Sequence, residues 1–126
     1  MNYISTKLGN FTIKIDSDSS FYNTIVNNLP ITGKANNIGG EIFYSIDIDI
    51  PFDGSEKEVF NVGDIVYWRS QKEKKFAIAI FYGNTKFGTG KLPTAASPCM
   101  KFATIEDDGN TLQLAKVETG SDILIK

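Results

Sequence analysis

The residue types best placed to do chemistry in this chain are one carboxylate and a small set of aromatics. Glu41 follows Gly39-Gly40 directly and shares a period-2 face with Phe43. Twin glycines let backbone approach a partner closely. Glu41 therefore reads either as a ligand-orienting acid or as a carboxylate paired with a lysine or capping backbone. Tyr67 and Trp68 are adjacent in a strand-like stretch and must face opposite ways. One belongs to a core, and the other is available to line a recess or the outer surface, where the lone tryptophan is a stacking platform. Phe81 and Tyr82 pose the same alternative. Phe81 lies on the side of Ala77 and Ala79, whose small side chains leave room for a packed neighbour or a ligand, so it is the better pocket residue.

Other patterns read as structure. Asp64 in Val62-Gly63-Asp64-Ile65 suits a turn, where a carboxylate accepts backbone N–H groups. Asp47 and Asp49 stand two apart on one strand face, and a solvated face explains them, since nothing else supplies metal ligands at a recognisable spacing. Gly88-Thr89-Gly90-Lys91 lacks the earlier glycine, the following Ser or Thr and the helix that a phosphate loop requires. Cys99, beside Pro98 and without a flanking base, reads as a small buried hydrophobe. Lys72, Lys74 and Lys75 with Arg69 form a basic loop of the kind that aids solubility.

Composition narrows the chemistry further. The 126 residues contain no histidine, which removes Ser-His-Asp and Cys-His catalysis within this chain and the commonest zinc ligand. No metal site and no cofactor are expected. A net charge of −2 predicts no nucleic-acid partner. No apolar run approaches the ~18 residues of a membrane span, so no membrane association is expected. Met1–Leu8 lacks the basic-then-apolar order of a signal peptide, and one cysteine cannot form an internal disulfide. Together these predict a cytoplasmic protein.

Strands must position the candidate residues. Phe11, Ile13 and Ile15 alternate with Thr12 and Lys14, the pattern of a half-buried strand. Glu41–Ile50 alternates most clearly, with Ile42, Tyr44, Ile46, Ile48 and Ile50 on one face, and Pro51 with Asp53-Gly54 stops it. Ile65–Trp68 and Phe76–Tyr82 are strands joined by a hairpin loop over Arg69–Lys75. Cys99–Ile105 and Asp122–Lys126 complete the set. Two short helices are predicted, one spanning Phe21 to Leu29 after the capping residues of Asp16–Ser20, the other from Asn110 to Val117. Gly83–Pro98 has neither periodicity and reads as a lid, a binding loop or a tolerated surface insertion. No linker or repeat divides residues 1–126, so a single domain is expected.

Three blocks in order resemble the small cyclophilin-like family of archaea and bacteria. Asn36-Asn37-Ile38-Gly39-Gly40-Glu41-Ile42-Phe43-Tyr44-Ser45 is similar to the family's Asn-x-Trp-Gly-x-Glu-Ile-Tyr-Phe-Ser. Val62-Gly63-Asp64-Ile65-Val66-Tyr67-Trp68 is similar to Val-Gly-Asp-x-x-Tyr-Trp-Pro, and Phe81-Tyr82-Gly83-Asn84-Thr85 to Phe-Phe-Gly-x-Thr-Pro. Ala96-Ser97 matches a later Ala-Ser. Order and spacing hold from about residue 30 onward, apart from a slightly longer loop after Trp68. Ile38 replaces the family's Trp, Arg69 and Lys86 each replace a Pro, and Met100 stands where Asn is usual.

The resemblance implies a mainly β fold: a closed, mostly antiparallel barrel of about eight strands with two short flanking helices. Kinship with true cyclophilins implies peptidyl-prolyl isomerisation only by analogy of fold. Their arginine stands above an apolar proline pocket lined by aromatics and a histidine. This chain has no histidine, and Arg69 falls in the expected hairpin loop. The sequence is therefore read as a non-catalytic binding module, with an aromatic recess for a small molecule or extended peptide. Its candidate ligand-binding residues are Glu41, Phe43, Tyr67, Trp68, Phe81 and Ser97, with Gly83–Pro98 as rim or lid. The alternative is an enzyme, an atypical prolyl isomerase or an activity using Glu41.

Overall fold

Alternating apolar residues and short turns place most of the chain in antiparallel strands. The computed structural model describes residues 1–70, 72–85, 92–106 and 108–126. The strands are β1 (Asn2–Thr6), β2 (Gly9–Ile15), β3 (Ile31–Lys34), β4 (Asn36–Asn37), β5 (Glu41–Ile46), β6 (Lys57–Val59), β7 (Asp64–Ser70), β8 (Lys75–Phe81), β9 (Thr94–Ile105) and β10 (Asp122–Ile125). They lie in the order β3-β10-β1-β2-β9-β7-β8-β5-β4, and β6 adds to β9. Every pairing is antiparallel.

The expectation of a closed barrel of about eight strands is corrected by this topology. The sheet has ten strands, and no backbone ladder joins its two ends. Ala35, between β3 and β4, explains the open seam. Its N–H goes to the Ser121 carbonyl and its carbonyl accepts from Gly120 N–H, so neither reaches β5. Side chains fill the seam instead. A Cβ on Gly33 would lie 2.5 Å from Cδ2 of Tyr44, so glycine is required for β3 to approach β5. The Tyr44 hydroxyl then donates to the Ile31 carbonyl at 3.1 Å.

The strands absent from the sequence reading carry almost no pattern. In β1 only Ile4 is fully buried, in β3 only Ile31, and β6 is exposed throughout. Partners hold them, not periodicity. Conversely β5 stops at Ile46 rather than Ile50. Ile50 still packs into the core, because the Tyr67 hydroxyl accepts Ile50 N–H at 2.9 Å and donates to the Ile48 carbonyl at 2.6 Å. Arg69 belongs to β7, paired opposite Phe76, and not to a hairpin loop.

Both predicted helices exist in altered form. The first is α1 (Tyr22–Asn27), preceded by Phe21 with no side-chain cap from Asp16–Ser20. The second is a 3-10 helix over Asp108–Lys116. Thr111 and Leu114 within it and Val117 just past its end are buried, and that spacing of three suits a helix with three residues per turn. No described helix is long and apolar enough to cross a membrane.

Two apolar clusters result. The larger one lies inside the curled sheet and includes Ile4, Tyr44, Tyr67, Phe102 and Ile123. The smaller one lies on the other face of β7 and β8, where Phe60, Val66, Ala79, Phe81, Ala95 and Cys99 pack together.

Candidate functional site

The outer face of β5, β8 and β7 forms rows fixed by strand register. Phe43 stands opposite Ala79, which stands opposite Val66. Ser45 is opposite Ala77, which is opposite Trp68. An alanine thus occupies the middle of each row, and larger side chains flank it. The small centre makes a floor, and Phe43 and Trp68, both partly buried, rise beside it.

The opposite wall comes from the first half of β9. The β7–β9 ladder ends at Tyr67 opposite Met100. Earlier residues of β9 pair only with β6, at Cys99 opposite Lys57 and Thr94 opposite Val59, with an irregular register between. Ala95–Pro98 therefore bulges away from a regular ladder, and Pro98 has no N–H to offer one. The gap between β7 and this segment is crossed by Trp68 Nε1, which donates to Ser97 Oγ at 2.6 Å. A half-open cavity of about 440 Å³ is enclosed, with Ile38, Glu41, Phe43, Trp68, Ala95 and Ser97 among its lining residues. That size is within the usual range of small-molecule sites.

Glu41 is placed by the glycine before it. Gly40 sits at φ +78°, and a Cβ there would lie 2.0 Å from the Asn84 carbonyl oxygen. Only glycine permits this approach, in which the Gly40 carbonyl accepts N–H bonds from Tyr82 at 2.8 Å and Gly83 at 3.1 Å. The clamp holds the start of β5, and Glu41 projects, buried, into the recess.

Among the described lining residues the charged ones are Glu41, Glu73 and Lys75. Burial, with added repulsion from the Glu41 and Glu58 carboxylates, pushes the Cys99 thiol up to about 12. The thiol is thus protonated near neutral pH and is a poor nucleophile. At the exposed end, Lys75 lies 3.3 Å from Glu73. Among the described residues, no group of three or more His, Cys, Asp or Glu could hold a metal ion.

Of the six sequence-derived candidates, the structure brings Glu41, Phe43, Trp68 and Ser97 onto one recess. Tyr67 and Phe81 are not on it. Tyr67 faces the larger core, as the side opposite Trp68 requires. Phe81 does lie on the alanine face, but Phe60 stacks on its ring with centroids 5.2 Å apart and covers it. Phe60 directly follows β6, a strand with no apolar alternation, so sequence offered no sign of this burial. Ile38, Phe76, Ala95, Ala96 and Cys99 line the recess without having been singled out as site residues. The run of small residues from Ala95 to Ser97 is a signal for Ala95 and Ala96 alone.

The remaining candidates resolve locally. Arg69 projects from the face opposite Trp68, and its Nη2 donates to Asp49 Oδ1 at 2.8 Å, away from the recess. Asp64 Oδ2 accepts the Asn61 N–H at 2.9 Å, a turn contact. The stretch read as one loop from Gly83 to Pro98 ends at Thr94, where β9 begins. Thr85 closes its base, donating to the Thr94 carbonyl at 2.5 Å and accepting Thr94 N–H at 3.2 Å. Lys86–Lys91, including Gly88-Thr89-Gly90-Lys91, lies outside the described residues.

Asn37 was not singled out by the sequence reading and ties the region together. Its Nδ2 donates to the Ala115 carbonyl at 3.1 Å and the Val117 carbonyl at 2.9 Å, capping the 3-10 helix. Its Oδ1 accepts from the Tyr82 hydroxyl at 2.6 Å and from Gly39 N–H at 3.2 Å. No local pattern flags an asparagine for such a role.

Comparison with known proteins agrees with this architecture. Residues 3–126 match the family described as cyclophilin-like. A hypothetical protein from Archaeoglobus fulgidus, whose structure was determined in solution, is similar with a TM-score of 0.76 and 24% identity, over 100% of this chain and 93% of that one. Identity at that level speaks to fold alone. No curated protein matches the chain.

Proposed function

The chain belongs to the cyclophilin-like family, and from that premise we propose that it is a non-catalytic binding protein whose recess takes a small molecule or an extended peptide. The observation that carries this reading is the convergence of Glu41, Phe43, Trp68 and Ser97 on one cavity of about 440 Å³. An apolar floor supplies burial, and a few placed polar groups supply orientation, the usual division of labour in a ligand site.

A prolyl isomerase reading has less support. The only arginine near the recess strand, Arg69, is held by Asp49 on the opposite face. The chain has no histidine. An enzyme using Glu41 would need a second group, and the nearby Cys99 thiol is held protonated.

Thermal-shift screening against a metabolite set tests the binding reading, with Trp68→Ala as the control. A stabilising compound should lose its effect in that variant, because only binding to the native state raises stability. A stabiliser that acts equally on Trp68→Ala would place binding elsewhere. Cis/trans exchange of a proline peptide, followed by NMR, tests the alternative. Acceleration that Glu41→Gln abolishes would replace the binding reading with a catalytic one.

A further inference from the structure

The recess has a flat floor with aromatic corners. Ala77 and Ala79 stand two residues apart on β8 and point the same way, about 7 Å from one another. That span is comparable to the breadth of an aromatic ring. Both alanines line the recess yet are only 8% and 5% exposed, so the flanking side chains stand close over the floor. Phe43 lies beside Ala79 on β5 and Trp68 beside Ala77 on β7, which puts the two aromatics at opposite corners. Ala95 and Ala96 line the recess from the β9 wall. Small residues thus bound a narrow space on two sides. The rings at its corners favour offset or edge contacts with another ring.

The polar groups around this space are engaged within the protein. Trp68 Nε1 donates to Ser97 Oγ, and the Cys99 thiol lies 3.4 Å from the Ser97 carbonyl oxygen. Lys75 pairs with Glu73 at the exposed end, and Glu41 has a partner of its own. Every charged group among the described lining residues is therefore already partnered. A charged ligand would lose its water here without gaining a counter-ion, a cost that an uncharged one does not incur. The Trp68–Ser97 bond also crosses the gap where β9 parts from β7, and Pro98 has no N–H. The recess thus presents side chains rather than an open strand edge to which a peptide could add.

We infer that the recess takes a free, uncharged aromatic molecule, whose flat ring lies over Ala77 and Ala79 between Phe43 and Trp68. This rests on the binding reading above and names its ligand class.

The test is NMR titration of the intact chain with probes of similar size: 2-naphthalenemethanol, its decahydro counterpart, 2-naphthoate and 2-naphthylmethylammonium. The aromatic alcohol should bind about fivefold tighter than the puckered decahydro compound and about tenfold tighter than either ion. Its ring current should move the methyl resonances of Ala77 and Ala79 upfield. Phe43→Leu keeps apolar bulk and removes the ring, so the advantage over the decahydro compound should fall to about twofold or less. Should that variant fail to fold, the probes on the unaltered chain still decide. Equal or tighter binding of the decahydro compound overturns the preference for a flat ring. Equal or tighter binding of either ion overturns the preference for an uncharged one, and both results leave the recess as a binding site. Binding that leaves the two alanine methyls unmoved, or a preference that survives Phe43→Leu, overturns the placement of the ring. A blocked tripeptide with 2-naphthylalanine between two alanines distinguishes the source. Weaker binding than the alcohol supports a free molecule, and tighter binding overturns it in favour of a peptide side chain. If no probe shifts any recess resonance, the inference fails, and the metabolite screen alone then decides the binding reading.

Discussion

Trp68 Nε1 donates to Ser97 Oγ at 2.6 Å, across the point where β9 parts from β7. The two residues sit 29 positions apart in the chain and face one another only because the β7–β9 ladder has ended at Met100. This bond sets the width of the recess. Ser97→Ala should therefore lower stability by about 1 kcal/mol, measured by chemical denaturation, and move the indole N–H resonance of Trp68 upfield. Ser97→Thr keeps the hydroxyl and should restore both. An unmoved indole resonance in Ser97→Ala would remove Ser97 from the recess wall.

Tyr67 and Trp68 separate core from recess within a single dipeptide. Tyr67→Phe strands the Ile48 carbonyl and the Ile50 N–H, both bonded by its hydroxyl. The expected cost is about 1–3 kcal/mol in urea unfolding, with affinity for any recess ligand unchanged. Trp68→Ala should show the reverse emphasis, with ligand affinity lost first. A large affinity loss in Tyr67→Phe would contradict this division.

Gly39 and Gly40 make a matched pair of controls. Both have positive φ, but a Cβ on Gly39 meets nothing within 4 Å, whereas one on Gly40 lies 2.0 Å from the Asn84 carbonyl oxygen. Gly39→Ala should cost about 1 kcal/mol, the backbone penalty alone. Gly40→Ala adds a backbone collision and should cost more than about 3 kcal/mol or prevent folding. Equal unfolding midpoints for the two variants would show that the clamp on Glu41 is absent.

Asn37→Ala should loosen the 3-10 helix and the turn after β8 together, since one side chain bonds to both. A loss of about 2 kcal/mol is expected. Amide exchange should accelerate at Val117 and Tyr82 in the same variant. Acceleration at only one of these would show that the two contacts are not coupled through Asn37.

Alkaline pH should weaken the fold through Cys99. Folding raises this thiol to about 12, chiefly by burial, against about 8.5 for an unfolded cysteine. The folded state therefore keeps a proton that the unfolded state releases. The stabilisation is complete below about pH 8.5 and declines as pH rises toward the folded value. Between about pH 8.5 and 10 the loss from this group is about 2 kcal/mol. Burial also raises the Tyr44 hydroxyl, with the same sign, above its ordinary range. Urea unfolding of the wild type and Cys99→Ala at both pH values isolates the thiol, and parallel losses in the two proteins would contradict it.

Legibility in the sequence followed local periodicity. The alternation in Phe11–Ile15 and Phe76–Tyr82 identified strands β2 and β8, because a buried face repeats every second residue. Adjacency alone established that Tyr67 and Trp68 diverge. Gly39-Gly40 signalled a close approach, and Gly40 makes it. Strands β1, β3 and β6 were invisible, because each carries one or no fully buried side chain and is held by its neighbours. The 3-10 helix was read with α spacing, since Leu112 and Ala115 also recur along that segment, yet Leu112 is exposed.

The sequence by itself determined a mainly β chain, the opposed faces of its strands, and the absence of histidine chemistry. All of these follow from residue type or from the fixed pleat of a strand. Tertiary structure alone decided which aromatic faces a cavity. Phe81 and Trp68 end on the same side of the sheet, but β6 brings Phe60 over one and the bulge at Ala95–Pro98 leaves a recess beside the other. Strand pairing over long separations makes that choice, and no local pattern records which partner arrives. For the same reason the barrel seam stayed unladdered. Ala35 bonds to Ser121 and Gly120, far away in sequence, and leaves Gly33 and Tyr44 to close the gap by packing.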